Sequence, residues 1–413
     1  MRKSFLVRLT ILIVLLLNCF ILTSCYSIKN KMVFIEVDGG CEVTGASLED
    51  RFYKSFVVKI PDEFNGSPVV SIGYEGFIAY TSMISIKIPD TVTNIGPGAF
   101  AGCFLLTKLD LPENLNAIGN MAFSGCTSLK NVEIPDGTTT IGDRAFLGCK
   151  SLKSITIPDS VTFIGEEAFS ECTSLQSITV SENNENYKSI DGCLYTKDGK
   201  TLLLYPSAKK GKNFEVPDGV TEIADSSCAK NKKLKEIIIS NSVVNIGQSA
   251  FSNCKSLKTV VIGDNVTYIE KSTFFECKKL KNLTLGSSIT EIGDKAFYGC
   301  RSLKSVVIPD SVTSIGEYAF MLCTSLEDVA IGNNVKDIGN FAFSSCNSLK
   351  SITIPNSVTN IGNSAFNTCF SLTEIHFNGT TNEWNSISKG LAWDLSTGDY
   401  EVYCTDGTLD KKM

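Results

Sequence analysis

From Leu303 to Cys323 the apolar positions that recur from repeat to repeat are Leu303, Val306, Ile308, Val312, Ile315, Ala319, Phe320 and Cys323. The alternation at Val306 and Ile308 predicts a short strand. Pro309 stops it, because proline cannot donate to a ladder. Asp310-Ser311 predicts a turn, after which Val312 and Ile315 point back inward and Gly316 allows a tight corner. Ala319-Phe320 then fill the interior from a 3₁₀ or single helical turn.

The pattern repeats. The motif Ile-Gly-x-x-x-Phe-x-x-Cys places cysteines at Cys103, Cys126, Cys149 and Cys172, then at Cys254, Cys277, Cys300, Cys323, Cys346 and Cys369, with every step inside a run 23 residues. Tyr80 and Asn231 stand one period before each run, which makes twelve repeats; Phe keeps its place in eleven, from Phe77 to Phe366, and Cys228 takes it in the other. A fixed period of this length is the signature of a solenoid, and it lies in the leucine-rich range. One coil cannot bury its own core, whereas stacked coils bury a continuous one, with parallel strands ~4.8 Å apart. The expected fold is mostly β with short 3₁₀ or helical turns. It is a right-handed leucine-rich-repeat solenoid of twelve 23-residue coils, with a β-hairpin insert and terminal caps.

The period is broken once. Cys172 to Asn231 spans 59 residues, one period plus 36. The insert, residues 181–216, carries Lys197-Asp198-Gly199-Lys200 between apolar runs, a hairpin signal. We read a hairpin projecting from the solenoid, followed by the basic loop Lys209-Lys210-Gly211-Lys212; it suits a binding element or a packing flap equally. The repeats occupy residues 71–180 and 217–376. Residues 32–70 are expected to cap the first coil and 377–413 the last, where the period stops after Leu372. Both tryptophans, Trp384 and Trp393, fall there, either shielding the last core layer or offering a platform for carbohydrate.

The N-terminus is of another kind. Arg2, Lys3 and Arg8 precede an apolar run from Leu9 to Leu22, as in a signal peptide. The run ends Leu22-Thr23-Ser24-Cys25, similar to a bacterial lipobox, in which acylated Cys25 becomes the first mature residue. Residues 1–24 would then be removed and 25–31 would link lipid to fold. Acyl chains favour membrane attachment by about 0.8 kcal/mol per buried methylene. Tyr26 is not the Asp that often retains lipoproteins at the inner membrane, so surface display is open to the chain.

Charge narrows the function. The formal charge is −6, or −9 without the three positive charges of the leader, so there is no basic excess for nucleic acid. The chain has one histidine, His376, which removes most histidine-based catalysis and metal binding. No Gly-x-Ser-x-Gly, phosphate loop or spaced carboxylate dyad occurs, so neither an enzyme nor a cofactor is expected. The ten cysteines in register read as a ladder of buried thiols acting as small hydrophobes with weak hydrogen bonds to backbone. Parallel Cβ vectors disfavour disulfides between coils, and zinc lacks both a Cys-x-x-Cys and a companion histidine. Cys41, Cys193 and Cys404 lie outside the register.

Two outward columns are candidate binding faces. One runs Lys87, Asp110, Glu133, Thr156, Thr179, Ile238, Val261, Thr284, Val307, Ala330, Thr353 and His376. Its apolar members, Ile238, Val261 and Val307, mark an interaction patch or residues that merely suit strands. The other is Lys130, Lys153, Lys235, Lys258, Lys281, Lys304 and Lys350. These lysines form a stripe for acidic glycans or acidic protein segments, or charges that keep a sheet from aggregating.

Three stretches carry a family resemblance: "SLKSITIPNSVTNIGNSAFNTCFSL" (348–372), "YKSIDGCLYTKDGKTLLLYP" and "FNGTTNEWNSI…VYCTDG". They resemble the BspA-like leucine-rich-repeat surface proteins over about residues 32–408. The resemblance implies surface display and adhesion to host matrix proteins or other cells, and it carries no catalytic motif. Glu270 and Ala224 depart from the repeat glycine and Cys228 from the phenylalanine, so the coil after the insert is expected to be distorted. The expected function is a lipid-anchored surface binding protein, an adhesin whose strand face takes a protein or glycan. The alternative is a structural envelope lipoprotein without a host ligand.

Overall fold

The computed structural model describes residues 32–46 and 56–411. The leader and Cys25 lie outside the described residues. Most coils contribute one strand to a main parallel ladder and a two-residue strand to a second one; one coil meets the main ladder only through a single bridge from Glu133 to Thr156. Ser305–Val307 pairs with Asp328–Ala330, then Ser351–Ile354, then Glu374–Phe377, always 23 residues on. The second ladder stacks Tyr268–Ile269, Glu291–Ile292, Ser314–Ile315, Asp337–Ile338 and Asn360–Ile361. Inward side chains of both ladders are buried, as at Val306, Val329, Ile352, Ile315 and Ile338.

The third side folds as turns, not as a helical turn. Tyr318 and Leu322 adopt φ of 59° and 62°, and the equivalent pair recurs in neighbouring coils. This left-handed geometry aims alternate amides at the next coil: Tyr318, Phe320 and Leu322 donate to the carbonyls of Asn340, Ala342 and Ser344 at 2.9, 2.7 and 3.0 Å. A helix would bond those amides within the coil instead. Gly316 is required for closeness rather than for φ. A Cβ there would meet the Asp294 nitrogen and the Gly293 carbonyl carbon at 2.7 Å.

Phenylalanines stack through the interior. Phe77, Phe100, Phe123, Phe146 and Phe169 form one column, with centroids 5.3–5.5 Å apart. Phe251 to Phe366 form another at 5.1–5.4 Å. Beside them each ladder thiol donates to a carbonyl of the coil below: Cys126 to Phe100 at 3.2 Å, Cys277 to Phe251 at 3.2 Å, Cys300 to Phe274 at 3.4 Å. Cys103, Cys149, Cys172, Cys254, Cys323, Cys346 and Cys369 bond in the same way, and all are free thiols. Burial pushes the thiols of Cys126, Cys149, Cys277, Cys300 and Cys346 well up, and those of Cys172, Cys254, Cys323 and Cys369 up to about 12.

The insert does not project. Tyr187–Ile190, Cys193–Thr196 and Thr201–Leu204 form a three-stranded antiparallel meander, and its last strand pairs in parallel with Glu222–Ile223 to restart the second ladder. Asp191 and Gly192, with φ of 48° and 72°, make a two-residue turn with both residues left-handed. The middle strand is buried on both faces. Leu194 packs into the N-terminal core, while Cys193 and Tyr195 pack into the C-terminal one. The meander is thus a wall between two cores.

The coil that begins at Ala224 keeps the regular register, but at Glu270 the second ladder breaks between Asn245–Ile246 and Tyr268–Ile269. Cys228 is fully buried and its amide donates to Ala250 at 2.9 Å, in the regular register. Ala224 sits where the insert, rather than a regular coil, lies beneath, so a Cβ is tolerated there.

Both caps continue the stack, to about fourteen turns in all. Phe56–Lys59 pairs in parallel with Met83–Lys87, and Glu401–Cys404 with Glu374–Phe377. Antiparallel strands Met32–Val37 and Gly407–Asp410 cover the outer edges. The repeat does not stop after Leu372. Residues 388–398 form a degenerate coil, with Ser364, Phe366 and Thr368 donating to Leu391, Trp393 and Leu395 at 3.0, 2.7 and 2.9 Å. Its period is lengthened by the helix Thr381–Ser386, whose Thr380 and Glu383 cap it reciprocally. Trp384 is buried, and Trp393 packs edge-on to Phe366, Trp384 and Tyr400, so the indoles close the core.

Candidate interaction surface on the strand face

The main ladder presents its outward side chains in straight columns. The Lys235 amide donates to the Lys212 carbonyl at 2.6 Å, Lys258 to Lys235 at 2.7 Å and Lys281 to Lys258 at 2.9 Å. Four consecutive coils therefore hold a lysine at one position. Lys304 follows, but Glu327 interrupts the column and approaches Lys304 to 3.8 Å. Lys350 stands beyond Glu327. Lys130 and Lys153 belong to the first block, where Gln176 ends their run. All of these lysines are exposed except Lys235, which is half-buried. Among the described residues no carboxylate lies within ion-pair distance of Lys235, Lys258 or Lys281. Like charges one coil apart, ~4.8 Å, repel by roughly 1 kcal/mol or less per pair in water. An acidic ligand relieves that repulsion.

Two further residues of this face follow the 23-residue step. Lys212 belongs to the column and not to a free basic loop: it lies one period before Lys235 and opens the run. Its neighbour Lys209 is instead buried against Asp191 at 2.8 Å. Glu327 also lies in period and marks where the positive run breaks.

The second column is less uniform. Ile238 faces Val261 and Val261 faces Thr284; Val307 faces Ala330. Ile238 and Val261 are half-buried, while Val307 is 71 % exposed. Thr284 separates them, so the three do not form one continuous apolar strip. The column extends past His376 to Tyr403, whose ring stacks on the imidazole at 5.2 Å. Tyr403 lies outside the 23-residue step because the helix lengthens the last coil, and spacing alone could not find it. Among the described residues no group of His, Cys, Asp or Glu is placed to hold a metal ion. No described helix is long and apolar enough to cross a membrane.

Residues 69–195, 205–324 and 290–390 match the profile of the BspA type leucine rich repeat region. The chain belongs to this BspA-type family. A leucine-rich cell surface protein of Faecalibacterium prausnitzii is 28% identical, over 89% of this chain and 98% of that one, with a TM-score of 0.51. A leucine-rich repeat protein of Eubacterium ventriosum is 27% identical, over 72% and 94%, at 0.52. The pneumococcal vaccine antigen PcpA shares the fold at a TM-score of 0.64, with 21% identity over 93% of this chain and 99% of that one. No curated protein matches the chain. BspA-type solenoids are binding and scaffolding folds.

Proposed function

We propose that this BspA-type protein is a lipid-anchored bacterial surface adhesin whose strand face binds an acidic glycan or an acidic stretch of a host protein. The observation that carries this reading is the run Lys212, Lys235, Lys258 and Lys281, stacked one per coil without carboxylate partners. An extended acidic partner with a repeating charge would touch several coils at once. Linked weak contacts gain avidity far beyond any single one. Cys25 would hold the solenoid to the membrane, and residues 26–31 would tether it. The cell-surface relative from Faecalibacterium prausnitzii supports display outside the cell.

The test is a binding screen of residues 25–413, with Cys25→Ser, against immobilised matrix proteins and glycans. Saturable binding to an acidic member of the panel supports the proposal. Binding confined to the organism's own envelope would instead make the chain a structural lipoprotein.

A further inference from the structure

On the turn side of a regular coil three alternate amides donate to the next coil. Met121, Phe123 and Gly125 donate to Asp143, Ala145 and Leu147 at 2.8, 2.8 and 2.7 Å. Arg144, Phe146 and Gly148 do the same to Glu166, Ala168 and Ser170, each at 2.8 Å. The coil ending at Cys172 has no regular coil after it. Among the described residues the equivalent amides of Glu167, Phe169 and Glu171 have no hydrogen-bond partner. Across the insert the complementary groups are left over. Of the three carbonyls that a preceding coil would use, Ser227 accepts from the Tyr205 amide at 2.8 Å, and those of Asp225 and Ala229 accept nothing among the described residues.

Between these lips lie two adjoining cavities of about 570 and 590 Å³ that share Arg144, Glu167, Ser170, Leu204, Ser226 and Ser249. Leu203 and Leu204, half-buried, form an apolar floor. Each volume is within the range of ordinary ligand sites. Donors at alternate residues on one lip, facing acceptors at alternate residues on the other, are the two sides of a missing strand. An extended backbone satisfies both, with carbonyls of alternate residues to one side and amides of the intervening residues to the other.

We propose that this cleft binds an extended peptide segment of a partner protein, laid parallel to the coils. Its carbonyls accept from Glu167, Phe169 and Glu171, and its amides donate to Asp225 and Ala229. The charges set its direction. The end where the coils enter carries Glu166, Glu222 and Asp225; at the other, Lys230 pairs with Glu171 across the cleft, which leaves Lys271 and Lys295 as its excess positive charge. The preferred peptide therefore leads with a basic residue and trails with an acidic one. This site lies on the turn side and is independent of the lysine column.

The test uses the full-length protein in mild detergent and a fluorescein-labelled Lys-Thr-Val-Thr-Val-Glu peptide. Hydrogen exchange is read at single amides with and without peptide. In the free protein Glu167, Phe169 and Glu171 should exchange rapidly while Arg144, Phe146 and Gly148 are protected. The peptide should bind saturably and slow the first three at least tenfold. Reversing the terminal charges, or methylating alternate peptide nitrogens, should weaken binding at least tenfold. Glu166→Lys with Asp225→Lys should remove the preference for the basic-led peptide. Protection of the three amides in the free protein, absence of saturable binding, or binding without their protection would each overturn the proposal.

Discussion

Cys277 sits in the interior with its thiol donating to the Phe251 carbonyl, and nine other cysteines repeat the arrangement. Every one was visible from the 23-residue spacing, because a column in the core demands the same small side chain at each level. The left-handed residues were not visible. Glu75, Met121, Arg144, Tyr318 and Phe341 all adopt positive φ, a geometry usually signalled by glycine. In the regular coils three bonds from the turn segment to the next coil offset the local strain, so propensity fails there. The buried thiols predict two outcomes. In the native protein the ladder cysteines should resist iodoacetamide, while half-buried Cys404 reacts first; mass spectrometry of trapped peptides checks this. The second concerns alkali. Burial raises the folded thiol values from 9.0 to about 12 at Cys172, Cys254, Cys323 and Cys369. The native state then holds protons that the unfolded chain releases. Stability is intact below about pH 9 and falls as pH rises towards 12, by about 1.4 kcal/mol per pH unit for each such thiol. Denaturant titrations from pH 8 to 11 should show that decline, and a flat profile would contradict it.

The meander at residues 187–204 differs from the projecting hairpin that its sequence suggests. Its Asp-Gly pairs announced turns, and turns are there. The run Cys193-Leu194-Tyr195, apolar at every position, was the sign of a strand buried on both faces rather than of a flap. The repeat period, by contrast, made the paired strands of each block legible, because a one-residue slip would expose every core side chain. With the meander as a wall, the solenoid has two cores, and these should unfold separately. Calorimetry should resolve two transitions. Phe123→Ala should lower one and Phe320→Ala the other, each by about 3–5 kcal/mol for the half it occupies. A single transition shifted equally by both substitutions would contradict the two-core description.

The whole molecule is a rod with closed ends and a long, regular face. The twelve regular coils could be counted from the motif, but the terminal ones could not, since the helix Thr381–Ser386 shifts the last out of register. The stacked coils hold the charges of the lysine column one coil apart, within the ~8 Å screening length of physiological salt. Binding through it should weaken steeply with salt, and affinity measured from 50 to 300 mM sodium chloride checks this. The most direct test of the binding face uses immobilised heparin as an acidic, repetitive probe. Residues 25–413 with Cys25→Ser are compared with the same chain carrying Lys235→Glu, Lys258→Glu, Lys281→Glu and Lys304→Glu, after circular dichroism shows both to be folded. The strand-face account predicts saturable binding by the first and at least a hundredfold loss in the second; equal binding by the two would contradict it.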